Sequence, residues 1–289
     1  MSRKSFGELF ANLDGPLLLP AAHDVVSARL IKNSGFPAIL VSGFGVAGFQ
    51  FGLPDLGLAS FGEFANAARY IAEAVEGIPI LMDADDGYGD VKNVTRTVRT
   101  YQAMGMSGVL LEDQVSPKKC GQTAHRKRIL PAEEAAKKLT AAVQTRTSKD
   151  FFIVARTDSL GVEGLEAAIE RGKRYVDQGV DALFIEAPRE LDQLERIGRS
   201  FKGTPLFVPA AGNSPILPPR DYWEMGFSAI LYPGTVMAAM IGGAEKMLAE
   251  LATGSIAAAN PSNPDFKRVT EIMGMPEWMT IEDRYENLG

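Results

Sequence analysis

The run Leu110-Leu111-Glu112-Asp113-Gln114-Val115-Ser116-Pro117-Lys118-Lys119-Cys120-Gly121-Gln122 joins three features that chemistry can use. An apolar stretch ends in the carboxylate of Glu112, and the loop beyond it carries the single cysteine of the 289 residues. Upstream, Asp83-Ala84-Asp85-Asp86-Gly87-Tyr88-Gly89 closes a second apolar stretch with acids and glycines. Two strands that both end in carboxylates predict an oxygen-ligand cation site at one end of a sheet. A thiol in the following loop is placed to give a proton to whatever binds there.

Asp83 and Asp85 lie two apart at a strand exit and are expected to point the same way. Crowded carboxylates repel, and a hard dication such as Mg2+ relieves the repulsion through one or two of them plus water. Alternation aims Asp86 away, toward a helix-capping role, and Gly87-Tyr88-Gly89 lets the backbone turn tightly. Neither His23 nor His125 has the spacing of a zinc motif. Cys120 stands in a polar loop beside Lys118 and Lys119, whose charges are expected to lower its pKa from about 8.5. The bland alternatives are an inert buried cysteine and a solvated lysine face.

Short apolar runs recur between amphipathic stretches along the whole chain. Strands are expected at 16–21, 38–42, 78–83, 108–112, 151–156, 182–186, 205–209 and 229–232. Helical periodicity covers 61–75, 91–104, 132–145 and 165–178, and glycines such as Gly35, Gly105, Gly179 and Gly226 fall where helices should end. Eight such units in about 230 residues predict an α/β fold, a (β/α)8 TIM barrel, with an open doubly wound sheet as the alternative. The unusual residues then share one address. Ser42-Gly43-Phe44, Asp83 with Asp85, Glu112, Arg156 and Glu186 all follow strands, and the strand ends of a parallel barrel meet at one mouth. A lone strand-end acid is usually a helix cap, but four strands sending carboxylates or arginine to one mouth, beside a fifth that brings Ser42, describe a site. Residues 1–243 are expected to form the catalytic barrel, and 244–289 a C-terminal helical extension.

Composition narrows the partners. With 30 basic and 36 acidic residues the formal net charge is −6, which leaves no surplus to neutralise nucleic-acid phosphates. A single cysteine rules out an intramolecular disulfide framework and fits a reducing, cytoplasmic setting. No apolar run approaches the ~20 residues of a membrane span, and the first residues carry no secretory pattern.

At these motifs the chain resembles the isocitrate lyase/phosphoenolpyruvate mutase superfamily, from about Phe6 to the end of the barrel. The matching segments are Ser42-Gly43, Gly52-Leu53-Pro54-Asp55-Leu56-Gly57, the Asp83–Gly89 run, Glu112-Asp113-Gln114, Lys118-Lys119-Cys120-Gly121 and Ala155-Arg156-Thr157-Asp158. The resemblance implies a barrel that uses Mg2+, with Mn2+ as its stand-in, and a gating loop bearing the cysteine. It also implies homotetramers that exchange C-terminal helices. By resemblance, Asp83, Asp85 and Glu112 organise the metal. Ser42, Gly43, Phe44, Asp55, Gly121, Gln122, Arg156 and Glu186 bind a small carboxylate substrate. Cys120, Arg156 and Lys119 are the implied catalytic groups, with Cys120 as the acid. The Lys-Lys-Cys-Gly run looks like the lyase branch, which cleaves a C–C bond in 2-hydroxy acids to an α-keto acid and a carboxylic acid.

Departures shape the substrate. Gln122 stands where methylisocitrate and isocitrate lyases have histidine, and Leu40 where relatives have tyrosine. Val208-Pro209-Ala210-Ala211-Gly212 replaces the usual Asn-x-x-Glu segment, and Ala238 an arginine. An unpaired buried carboxylate costs several kcal/mol, so an alkylmalate is expected over a tricarboxylate. The alternatives are an oxaloacetate decarboxylase or hydrolase, and a phosphonopyruvate-type mutase or hydrolase.

Overall fold

The computed structural model describes residues 4–120, 125–212, 214–254 and 264–286. Eight parallel strands close a barrel in chain order. They are β1 Leu17–Ala22, β2 Ile39–Val41, β3 Ile80–Asp83, β4 Gly108–Glu112, β5 Phe152–Thr157, β6 Ala182–Ile185, β7 Leu206–Pro209 and β8 Ala229–Tyr232. Because β1 pairs with both β2 and β8, the sheet has no edge, and the open-sheet alternative is excluded. The strands begin and end within two residues of their expected bounds, and the helix expected at 132–145 is Ala132–Thr145.

Each strand reads as a continuous apolar run because both of its faces are covered. Parity then sorts the side chains. Leu19, Leu40, Leu81, Leu110, Val154, Phe184, Phe207 and Leu231 fill the barrel interior. Val41, Met82, Val109, Leu111, Ile153 and Leu183 belong to the shell packed against the helices. The N-terminal end of the barrel is plugged by helix Phe6–Ala11, which Ser5 and Glu8 close with a reciprocal capping box. Phe10 stacks on Phe152 with ring centroids 5.2 Å apart and meets Phe207 at 5.7 Å. With that end filled by aromatic rings, only the C-terminal mouth remains open to chemistry.

One expected cap is corrected. Asp90, not Asp86, caps helix Val91–Ala103, accepting from the amides of Lys92 and Asn93 at 2.9 and 3.4 Å. Asp86 accepts from the Tyr88 amide at 2.9 Å and from Lys138 Nζ at 3.2 Å, on the helix side of the sheet. Contacts divide the chain into Met1–Val236 and Met237–Gly289, a division that falls inside helix Thr235–Ala252. The second unit also carries helices Phe266–Ile272 and Met275–Glu286. Among the described residues, no helix is long and apolar enough to cross a membrane.

Candidate active site

The parity that builds the core also builds the site. Two residues beyond the inward Leu40, Leu81, Leu110, Val154 and Phe184 stand Ser42, Asp83, Glu112, Arg156 and Glu186. All five line one cavity of about 330 Å3 at the mouth, above Leu40, Leu110, Phe184 and Leu231 from alternate strands. Asp55, Gln114, Lys118 and Cys120 enter the same cavity from loops. The β7 and β8 side is different, with Pro209, Ala211, Gly212, Pro233 and Gly234 joined by Phe44. One half of the cavity is charged and the other is apolar.

The acidic half is tightly packed. Asp85 sits at φ 46°, in the left-handed region that aspartate tolerates better than most residues. It is held there because its amide donates to Asp83 Oδ1 at 3.3 Å, while its carbonyl accepts from the Glu112 amide at 2.8 Å. Lys118 Nζ ion-pairs with Asp55 at 2.7 Å and with Asp85. Ser42 caps helix Gly43–Phe51 by accepting from the Gly45 amide at 3.3 Å, and the Gly43 amide donates to Asp83 Oδ2 at 3.2 Å. A Cβ on Gly43 would lie 3.1 Å from Asp83 Oδ2 and 3.3 Å from Asp85 Oδ1, so the close approach favours glycine.

Burial sets the protonation of these groups. It pushes Asp85 up to about 6, against the pull of Lys118 and with further push from Asp83 and Asp55. It pushes Glu112 up to about 8, against Arg156 and Lys118. Burial alone would lower Lys118, but Asp85, Glu112, Asp83 and Asp55 outweigh it and keep the ammonium charged.

Arg156 stands among carboxylates. Its guanidinium meets Asp158 through two bonds of 3.0 and 3.1 Å, Glu112 at 3.4 Å and Glu186 at 3.7 Å, and lies over the Phe184 ring. Glu112 and Arg156 face each other directly in the β4–β5 register. Behind them Asp113 is fully buried. It accepts from the Asp158 amide at 2.9 Å, Thr157 Oγ1 at 2.6 Å and Tyr175 at 2.8 Å.

The donors suit a hard divalent cation. Asp83 and Asp85 supply carboxylates side by side, and Glu112 Oε1 is buried with no hydrogen-bond partner among the described residues. An orphaned carboxylate oxygen there is an acceptor for a cation or its water. Among the described residues no three acidic, histidine or cysteine side chains form a closed cage. Mg2+ does not need one, since it binds through one or two carboxylates and keeps several waters.

The phosphoenolpyruvate phosphomutase family model matches residues 6–252. The chain belongs to the isocitrate lyase/phosphoenolpyruvate mutase superfamily. As a member it is an enzyme, of the carbon–carbon lyase class that the sequence pointed to. It is 35% identical to 2,3-dimethylmalate lyase of Eubacterium barkeri over 275 residues, covering 93% of each chain. It is 37% identical to carboxyvinyl-carboxyphosphonate phosphorylmutase, chloroplastic, of Arabidopsis thaliana, covering 95% of this chain and 82% of that one. A solved structure of oxaloacetate acetylhydrolase with 3,3-difluorooxalacetate superposes with a TM-score of 0.91 at 29% identity, covering 98% and 96%.

For a superfamily member, the placement of the expected residues is uneven. The cavity gathers Ser42, Phe44, Asp55, Asp83, Glu112, Cys120, Arg156 and Glu186, while Gly43 and Asp85 stand directly behind it through Asp83 and Lys118. Lys119 is not brought in: its amide donates to Gln114 Oε1 at 3.0 Å and its ammonium to the Pro117 carbonyl at 3.3 Å, in the exposed part of the loop. The lysine in the cavity is Lys118. Gly121 and Gln122 lie outside the described residues. Sequence reasoning missed Asp113 and Asp158, although both follow strand-end residues already singled out.

The thiol is corrected as well. Cys120 is pushed up to about 11, by burial first and then by Asp55, which also hydrogen-bonds it; Arg156 and Lys118 pull the other way without prevailing. Lysines adjacent in sequence are thus overruled by a carboxylate adjacent in space. Below its pKa a thiol is protonated and unreactive, so burial and Asp55 hold Cys120 in its neutral form near pH 7. Alkylation by iodoacetamide should accelerate about tenfold per pH unit up to about pH 11. A plateau near pH 8.5 would show an ordinary thiol instead.

Proposed function

We propose that the protein is a Mg2+-dependent lyase that splits a 2-hydroxy dicarboxylate, an alkylmalate, into an α-keto acid such as pyruvate and a carboxylic acid. The observation that carries this reading is Cys120, a protonated thiol lining the same cavity as Arg156, Glu112 and an apolar wall. Arg156, whose side chain lines the cavity, holds the C1 carboxylate. Asp83, Asp85 and Glu112 would hold the metal, whose contribution is positive charge for the oxygens at C1 and C2. The substrate's alkyl groups lie against Phe44, Pro209, Ala211, Leu231 and Pro233.

The chemistry follows from that placement. As the 2-hydroxyl gives up its proton, the C2–O bond becomes a carbonyl and C2–C3 breaks, leaving its electron pair on C3. A carbanion beside a carboxylate is far more basic than a thiolate, so Cys120 delivers its proton to C3. The hydroxyl proton passes to solvent at the open mouth and a solvent proton restores the thiol, so the balance is one hydroxy acid to one keto acid plus one carboxylic acid. A neutral thiol is the protonation state this role requires. Hydrolysis of oxaloacetate is the second reading, favoured by the superposition on oxaloacetate acetylhydrolase.

Assays of pyruvate release from a panel of alkylmalates, methylisocitrate, oxaloacetate and phosphonopyruvate separate these readings, with an alkylmalate expected as the best substrate. Stripping divalent cations should abolish turnover, and Asp85→Ala should not recover when Mg2+ is restored. Full turnover in excess chelator would refute the metal role. Cys120→Ser should lose turnover by orders of magnitude while keeping oxalate affinity, because a hydroxyl is a far weaker acid than a thiol. A folded Cys120→Ser enzyme with near-normal rate removes the lyase mechanism.

The assembly is proposed to be a homotetramer whose residues after about Asp265 pack on a partner subunit. Helix Met275–Glu286 leaves Met275, Trp278, Met279, Ile281 and Tyr285 exposed, more apolar surface than a lone helix normally shows to water. Light scattering at micromolar concentration should give four times the 31.1 kDa chain. A monomer there would contradict it.

A further inference from the structure

Arg156 presents an electrostatic difficulty. The guanidinium proposed to hold an anionic substrate is already faced by the carboxylates of Asp158 and Glu186, and by Glu112, which burial pushes toward its neutral form. Left to themselves, they would cancel its charge and repel a dicarboxylate. One group counters this from outside the cavity. Lys127 reaches Asp158 from the segment that returns from the Cys120 loop, and Asp158 Oδ1 is shared between Lys127 Nζ and Arg156 Nη2. The pair is buried, with the Lys127 side chain 11% exposed and Asp158 fully enclosed.

We propose that Lys127 is a positioning residue of the anion clamp, neutralising Asp158 so that Arg156 keeps positive charge to direct at the substrate carboxylate. The inference rests on Arg156 being that clamp. Lys127 is not among the residues lining the cavity, so it acts through Asp158 rather than on substrate. Asp158 is held for this sharing from behind. Its amide donates to Asp113 Oδ1, and Arg171 donates to the Leu130 carbonyl at 2.7 Å while also facing Asp113. The returning segment is tied at the same place, since the Leu130 amide donates to the Asp113 carbonyl and the Val115 amide to the Arg128 carbonyl, both at 2.8 Å. Lys127 therefore springs from a braced segment.

The test compares Lys127→Met, Lys127→Gln and Lys127→Arg with the unaltered enzyme, all with Mg2+ present. Calorimetry reads oxalate affinity, and steady-state kinetics reads kcat and KM on the best alkylmalate. Removing one buried charge near the site should weaken oxalate about 10- to 100-fold and raise KM by a similar factor, with kcat falling less. Lys127→Gln keeps a donor for Asp158 without charge and should behave like Lys127→Met; it also serves if the methionine variant does not fold. Lys127→Arg should stay within about threefold of the unaltered enzyme. Unchanged oxalate affinity in either neutral variant overturns the proposal, as does a loss of kcat and melting temperature with KM unmoved. An unaltered enzyme that does not bind oxalate overturns instead the reading of Arg156 as the clamp.

Discussion

In a closed parallel barrel, a side chain two residues beyond an inward core residue has only the mouth to point into. That constraint underlies everything else in this molecule. On β2 through β6 the inward hydrophobe is followed, one step of the pleat later, by Ser42, Asp83, Glu112, Arg156 or Glu186. The same step on β8 leads from Leu231 to Pro233, and on β7 from Phe207 through Pro209 to Ala211. Core packing and site chemistry are one alternation read at two heights, and the division into charged and apolar halves is a division among strands.

Placing so many acids at one mouth has a cost that must be met locally. Asp55, Asp83, Asp85 and Glu112 converge, and burial, helped by the neighbouring carboxylates, raises two of them toward neutrality. The protein answers with Lys118 between Asp55 and Asp85 and with Arg156 against Glu112. Both cations stay charged because the carboxylates outweigh desolvation. Such pairs are poor sources of stability, since desolvation consumes most of their attraction. Their worth here is a preset field into which a substrate anion and its developing charge can fit.

The regular part of this arrangement was legible in the chain itself. Strand runs, their terminal acids and the eightfold count follow from local periodicity, and they bring Glu112, Arg156 and Glu186 to one cavity. What was illegible lies in loops, where no pleat dictates direction. Nothing in Lys118-Lys119 says which ammonium turns inward; contact with Asp55 and Asp85 decides it. The Cys120 thiol likewise answers to Asp55, a neighbour in space from a different loop, so a reading from adjacent lysines gave the wrong sign. Asp86 lost its expected cap to Asp90 for a related reason, because the turn through Gly87 and Gly89 delays the helix start.

The apolar half of the cavity bears on specificity more than the charged half does. Any 2-hydroxy or 2-oxo acid offers a carboxylate and an adjacent oxygen to Arg156 and the acids, so that half cannot tell them apart. On the proposed reading, discrimination would fall to Phe44, Pro209, Ala211, Leu231 and Pro233, which offer no side-chain donor to a distal carboxylate. Leaving a charge unpaired against such a wall costs several kcal/mol, and each 1.4 kcal/mol is about tenfold in rate or affinity. A methyl or methylene group placed there instead gains about 0.8 kcal/mol by leaving water. The strands that contribute no chemistry are therefore, on that reading, the ones that would favour an alkyl-substituted substrate.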